Sequence, residues 1–149
     1  MSKIKPAIIH IDGCDKVGKD TIRDLLVKKS KGSYLVIVRS FISQLAYNLI
    51  YQREAECVDF FWDRFIDTDV NSREFFVHVV ADKNVVSKRF IKHNEQDLDI
   101  EDYESHRFYF SSIVDNARRL GIKILEIDTT NATPEETVKE IIDHVQLGS

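Results

Sequence analysis

The sequence is poor in the residues that build special scaffolds. Its two cysteines, Cys14 and Cys57, make no disulfide framework and no metal knuckle. Two prolines and five glycines in 149 residues exclude collagen-like and disordered readings. No apolar run approaches the length of a membrane span. Met1 to Pro6 lacks the apolar stretch of a secretory leader. A reducing cytoplasm is therefore the expected setting. Positive charge is not in excess. Lys and Arg number 21 against 25 Asp and Glu, a formal net charge of −4. That balance argues against a nucleic-acid coat or a membrane-surface protein, so neither partner is expected. The histidines His10, His78, His93, His106 and His144 are scattered without supporting Cys or carboxylates, and zinc is not expected. No nucleophile–base pair of hydrolase type stands out. Repeats, linkers and low-complexity blocks are absent.

What remains is ordinary globular composition, 43% hydrophobic and 31% charged, in a length that suits a single domain over 1–149. Strand and helix patterns alternate. Ala7–Ile11 is a β-rich run ending in the Asp12-Gly13 turn signal, and helical spacing follows from about Gly18 to Lys31. Tyr34–Val38 is a continuous apolar strand of the kind buried on both faces. Ser40 to about Glu56 reads as one helix, with Phe41, Leu45, Leu49 and Ile50 on its apolar side, and Val58–Ile66 as another. Phe75–Val80 is a third strand, Lys83–His93 a helix, and Ser105–Leu120 a helix stopped by Gly121. Ile122–Ile127 is the fourth strand. Thr133-Pro134-Glu135-Glu136 carries a capping box that starts a last helix to about Val145. This alternation predicts a three-layer α/β fold, a mostly parallel sheet of about four strands with helices on both faces. Ligands of such sheets bind beyond the carboxyl ends of the strands.

The first strand runs into Gly13-Cys14-Asp15-Lys16-Val17-Gly18-Lys19-Asp20-Thr21, and a helix follows. This is Walker A spacing in the strand–loop–helix context that the P-loop fold requires. The glycines let successive N–H groups turn inward as an anion nest, and the helix N-terminus adds partial positive charge. Lys19 supplies a point charge for the outer phosphates. Cys14 sits at a helix N-terminus, where a thiol pKa can fall, but a small space-filling role is the reading preferred for it. One position departs from the motif: Asp20 stands where a Ser or Thr hydroxyl would meet Mg²⁺, with Thr21 one residue late.

The run Ile11 to Lys19 resembles the start of the thymidylate kinases. Val38-Arg39-Ser40-Phe41-Ile42-Ser43-Gln44-Leu45-Ala46-Tyr47-Asn48 resembles that family's Asp-Arg-Tyr segment with its later Ser and Ala-Tyr-Gln. The resemblance implies a compact nucleoside monophosphate kinase fold of P-loop type, using ATP and Mg²⁺. It implies that Asp15 contacts the acceptor sugar, that Lys16 acts as a cation on the transferred phosphoryl group, and that Arg39 holds the acceptor phosphate. Ser43, Tyr47 and Asn48 match positions near the acceptor nucleotide. Gly13, Cys14, Asp15, Val17, Gly18, Lys19, Asp20 and Thr21 match the ATP phosphate loop. Asn131 and Ala132 match the loop after the last strand that touches adenine.

Less specific matches are Val77–Ala81 with the helix through Arg89, and Asp102-Tyr103-Glu104 after a lid-like segment at 94–104. That segment is acidic and carries no arginine, so Lys16, Lys19, Arg39 and Arg89 must supply the positive charge for phosphoryl transfer. The family's Asp before the strand-end Arg is Val38 here. Asp20 either compensates as a metal ligand or marks a degenerate site. The chain is also short for the family, consistent with a virus- or phage-type member. The shortfall falls between Lys31 and Tyr34, where the family carries an aromatic–proline–arginine element that clamps the acceptor. Phe60, Phe61, Trp62 and Phe65 are read as core, or as a ring stacked on the acceptor base.

The expected activity is ATP-dependent phosphorylation of a deoxynucleoside monophosphate, most like dTMP, by a protein that dimerises as family members often do. Two alternatives stay open. One is a kinase for a nucleoside, a modified nucleotide or a polynucleotide end. The other is a nucleotide-binding protein without catalysis.

Overall fold

A computed structural model describes residues 4–14, 17–52, 55–71, 73–92 and 100–147. In chain order it contains β1 (Ala7–Asp12), α1 (Lys19–Lys29), β2 (Tyr34–Val38), α2 (Phe41–Ile50), α3 (Ala55–Asn71), β3 (Glu74–Val80), α4 (Lys83–Lys92), α5 (Ile100–Arg119), β4 (Ile124–Asp128) and α6 (Pro134–Leu147). The four strands form one parallel sheet in the order β2-β1-β3-β4. The expected P-loop α/β architecture is present.

The strands are β-branched and aromatic, and the central pair is buried on both faces. Ile9, Ile11, Val77 and Val79 are each 0% exposed. α1 and α6 pack together on one side of the sheet, with α1 against β2. α2, α3 and α5 form the other layer, where Phe65 packs edge-on against Phe76 with ring centroids 4.8 Å apart. Ile22, Leu26, Val138 and Ile141 bury the apolar stripes of α1 and α6. The capping box closes α6 as expected. Glu136 N–H donates to Thr133 Oγ1 at 3.1 Å, and Thr133 N–H donates to Glu136 Oε1 at 3.3 Å. Thr133→Ala should cost about 1 kcal/mol, read as a lower midpoint in urea unfolding with an unchanged slope.

The structure corrects four expectations. β2 is not buried on both faces. It is the sheet edge, and Leu35 and Ile37 are 60% and 36% exposed because α3 lies over β3 instead. The single helix expected over 40–56 is divided. α2 ends at Ile50, Gln52 takes φ 51°, and Glu56 belongs to α3. From Gln52 to Glu56 the sequence offers no large apolar side chain to hold another turn on the core. Leu49, expected on the apolar side of α2, is exposed. The helix expected from Ser105 begins earlier, with α5 starting at Ile100 inside the lid-like segment 94–104. Its residues 94–99 lie outside the described residues, as do Asp15 and Lys16 of the phosphate loop.

His78 shows what burial costs in this sheet. It lies on β3, 1% exposed, stacked on Phe110, with Nδ1 3.1 Å from Glu126 Oε1. Desolvation pushes its pKa below the ordinary 6.5, and the Glu126 carboxylate only partly opposes this. The unfolded chain therefore binds a proton here more readily than the folded one. Stability should fall as pH drops below about 6.5. The His78→Leu variant should show a flatter dependence of melting temperature on pH between about 7 and 5.

Candidate active site

At the carboxyl edge of the sheet, the end of β3 meets Gly13, the loop after β4 meets Val17, and the end of β2 is bonded to the end of β1. Gly13 permits the loop's close approach to the sheet. A β-carbon there would run into the carbonyl oxygen of Val79 and press on Val17. Gly18 opens α1 at φ 102°, a left-handed conformation that L side chains avoid. Val17 is buried, and its carbonyl accepts a 2.8 Å hydrogen bond from Thr129 Oγ1. Thr129 N–H in turn donates to Val80 O at 2.8 Å. The loop after β4 is thereby tied to both the phosphate loop and the end of β3. Asn131 and Ala132 follow two and three residues later, one exposed and the other half-buried.

Lys19 begins α1 and is 7% exposed. Its Nζ donates to the carbonyl oxygens of Gly13 at 2.5 Å and Cys14 at 2.7 Å. The ammonium thus lies against the carbonyls of the first two loop residues. Cys14 is a buried thiol, in no disulfide, that packs with the core cluster. Asp20 and Thr21 point outward. The Asp20 carboxylate is 75% exposed and lies 3.3 Å from Arg23 Nη1. Mg²⁺ is commonly held by one or two protein carboxylates plus phosphate oxygens and water. The exposed Asp20 carboxylate is a donor of that type, and in the structure it is turned toward Arg23. The described residues contain no group of three or more His, Cys, Asp or Glu that would hold a metal unaided.

Arg39 is held unusually. It takes φ 65°, a left-handed conformation that costs a non-glycine residue about 1–2 kcal/mol. Bonds on either side fix it there: Arg39 N–H donates to Ile11 O at 3.0 Å, and Ser40 N–H to Asp12 Oδ1 at 2.7 Å. Asp12 is the anchor. Its Oδ1 also accepts from the amide of Ser43 at 3.0 Å and from the Ser43 hydroxyl at 2.6 Å. Burial raises the Asp12 pKa, against the lowering effect of these bonds. Behind Ser40 stands His10, 4% exposed, with Nδ1 2.6 Å from Ser40 Oγ and Nε2 2.7 Å from Glu74 Oε2. A carboxylate only accepts, so Nε2–H donates to Glu74. In the neutral ring Nδ1 then accepts from the Ser40 hydroxyl.

Other sequence candidates fall into place around this core. Ser43 is buried and committed to Asp12. Asn48 is buried on α2. Tyr47 is half-buried, its ring edge-on to Phe110 of α5. The aromatic run divides: Phe65 is core, Trp62 stacks on it, and Phe60 is 54% exposed. Sequence reading missed Asp12 as the anchor, Thr129 as the tie between loops, and Arg107. Arg107 Nη1 donates to Ala81 O at 3.2 Å, and the Tyr103 hydroxyl donates to the same oxygen at 2.6 Å. Burial pushes Tyr103 up to about 12. The signal for this pair was the i, i+4 spacing on α5. Arg89 Nη2 reaches Thr129 O at 3.3 Å, so both arginines lie at the carboxyl edge.

Comparison with known proteins agrees with this architecture. No protein-family model matches the sequence, and no curated protein matches it. Among solved structures, the chain is similar to the YorR protein of Bacillus subtilis, solved in complex with phosphorylated GDP. The TM-score is 0.75 at 19% identity, over 95% of this chain and 97% of that one. It is also similar to the thymidylate kinase of Candida albicans, with a TM-score of 0.68 at 13% identity, over 97% of this chain and 92% of that one. At these identities the likeness shows the fold, a four-stranded parallel P-loop sheet flanked by helices. No helix among the described residues is long and apolar enough to cross a membrane.

Proposed function

We propose that this chain is a nucleotide kinase that transfers a phosphoryl group from ATP to a deoxynucleoside monophosphate, with dTMP the first acceptor to test. One observation carries the reading. Lys19 within the phosphate loop and Arg39 in its braced left-handed turn occupy the same edge of one sheet. A buried ammonium and an exposed arginine on a fixed backbone turn suit a donor and an acceptor phosphate that must meet in line. The fold is shared with a thymidylate kinase and with a protein solved with phosphorylated GDP, which adds support.

In this reading the loop amides and Lys19 hold the ATP phosphates, and Arg39 holds the acceptor phosphate through its planar fork. Asp15 orients the acceptor sugar and Lys16 faces the transferred group. Arg89 and Arg107 add positive charge from the α4–α5 side. Bound Mg²⁺, taken by Asp20, would neutralise phosphate charge. The protein itself forms no covalent intermediate; it positions and stabilises.

A second reading has its own observation. Asp20 lies 3.3 Å from the Arg23 guanidinium. If it serves only that pair, the site binds nucleotides without turning them over. One assay separates the readings. ADP release should be measured with each nucleoside and deoxynucleoside monophosphate, including guanine acceptors, with and without Mg²⁺. Acceptor- and Mg²⁺-dependent ADP supports the kinase. Tight ATP binding with no ADP for any acceptor overturns it.

A further inference from the structure

The N-cap position of α2 is Ser40, yet its hydroxyl does not cap the helix. The Asp12 carboxylate does that instead, accepting from the amides of Ser40 and Ser43. The Ser40 hydroxyl turns to His10 Nδ1, 2.6 Å away. His10 lies on β1 and is 4% exposed. Its ring stacks on Phe76 of β3 with centroids 4.7 Å apart, and tilts against Phe41 of α2 at 5.9 Å. Glu74 is in register with Ile8, which makes it a diagonal neighbour of His10 on the same face of the sheet. Its Oε2 lies 2.7 Å from His10 Nε2. With Nε2–H committed to Glu74, Nδ1 of the neutral ring offers only a lone pair. The Ser40 hydroxyl must then be the donor.

This polar chain is not needed to start α2. What it borders is Arg39, exposed and held at φ 65°. Strain of that kind persists only where the surroundings over-determine it. The Arg39 amide is tied to Ile11 and the Ser40 amide to Asp12. The His10 bond adds a third restraint, one residue from the strained one, and anchors it to the middle of the sheet.

We infer that His10, oriented by Glu74, is a positioning residue for Arg39. Through the Ser40 hydroxyl it keeps the left-handed turn that presents the guanidinium to the acceptor phosphate. The inference rests on the kinase reading above, with Arg39 as the acceptor's contact. His10 and Glu74 act at one remove and need no contact with a ligand. The phosphate loop is held separately, by Thr129 and by the close approach of Gly13 to β3. The effect therefore falls on the acceptor and not on ATP.

Steady-state kinetics with ATP, Mg²⁺ and dTMP test this, with another monophosphate in its place if only that one yields ADP. Ser40→Ala keeps the amide bond to Asp12 and loses only the hydroxyl link. It should raise the acceptor KM about three- to tenfold, the scale of one net hydrogen bond, and leave the KM for ATP unchanged. His10→Phe keeps a ring between Phe41 and Phe76 and should act in the same way. Thermal melts show that each variant is folded. A double variant separates positioning from general loosening. In an Arg39→Ala background, Ser40→Ala should leave kcat/KM for the acceptor unchanged, because the group it positions is gone. An unaltered acceptor KM in folded Ser40→Ala overturns the inference, and so does an equal loss in both backgrounds; the kinase reading survives either result. A wild type that forms no ADP with any monophosphate overturns that reading and this inference together.

Discussion

Lys19→Ala should lower ADP formation by about 10²–10³-fold or more, the scale of losing one aimed charge in phosphoryl transfer. The side chain is buried inside the loop and bonded to the Gly13 and Cys14 carbonyls. Alanine removes the only described cation at that point of the loop and leaves those carbonyls without this donor. Some loss of stability is expected, on the order of 1 kcal/mol. A thermal melt alongside the assay separates that from the loss of turnover. Lys19→Arg keeps the charge but not the compact ammonium, and should recover little. Unchanged turnover in Lys19→Ala would mean that the phosphate loop does not serve ATP.

Gly13→Ala should meet a harder clash than a methyl added at any other described glycine. The new β-carbon would strike the Val79 carbonyl oxygen, which belongs to the β3 ladder and cannot move aside cheaply. Either β3 shifts or the loop lifts from the sheet. Overpacking of this kind costs about 1–3 kcal/mol, and contact with backbone places it at the upper end. The melting temperature should fall by several degrees. ATP affinity should fall with it, because Val17 and Lys19 ride on the displaced loop. Gly121→Ala is the control. It has open space around its β-carbon but a φ of 90°, so it should lose stability from backbone strain alone and keep ATP affinity.

The two predictions rest on different amounts of sequence information. Gly13 and Lys19 were legible because strand, glycine spacing and helix follow one another without interruption, and the motif is local. β2 was placed at its true bounds by its run of apolar residues. Its position at the edge was not, because a strand's neighbours are set by the order of the whole sheet. The break between α2 and α3 was missed because nothing in the sequence there is a glycine or proline stop, whereas α2 ends at Ile50 and Gln52 takes φ 51°. Arg39 was found by resemblance, but its left-handed conformation depends on Asp12, whose partner Ser43 lies 31 residues away. The His10 contacts span 30 and 64 residues, beyond any local pattern. His78 likewise meets its carboxylate partner, Glu126, 48 residues away. The acceptor side remained the least legible part, since its residues were judged one by one while Ser43 and Asn48 are buried.

The Asp12 carboxylate has a consequence for how the protein would choose what it binds. By holding the amides of Ser40 and Ser43 it pins the first turn of α2 to the end of β1. A helix hung this way does not swing as a hinge. Its wall of the pocket exists before any ligand arrives, and the entropy of ordering that wall is met during folding rather than at encounter. An acceptor bound beside α2, as proposed, would then meet a wall already in place. Changes in substrate preference that conserve the fold should accordingly leave Asp12 alone.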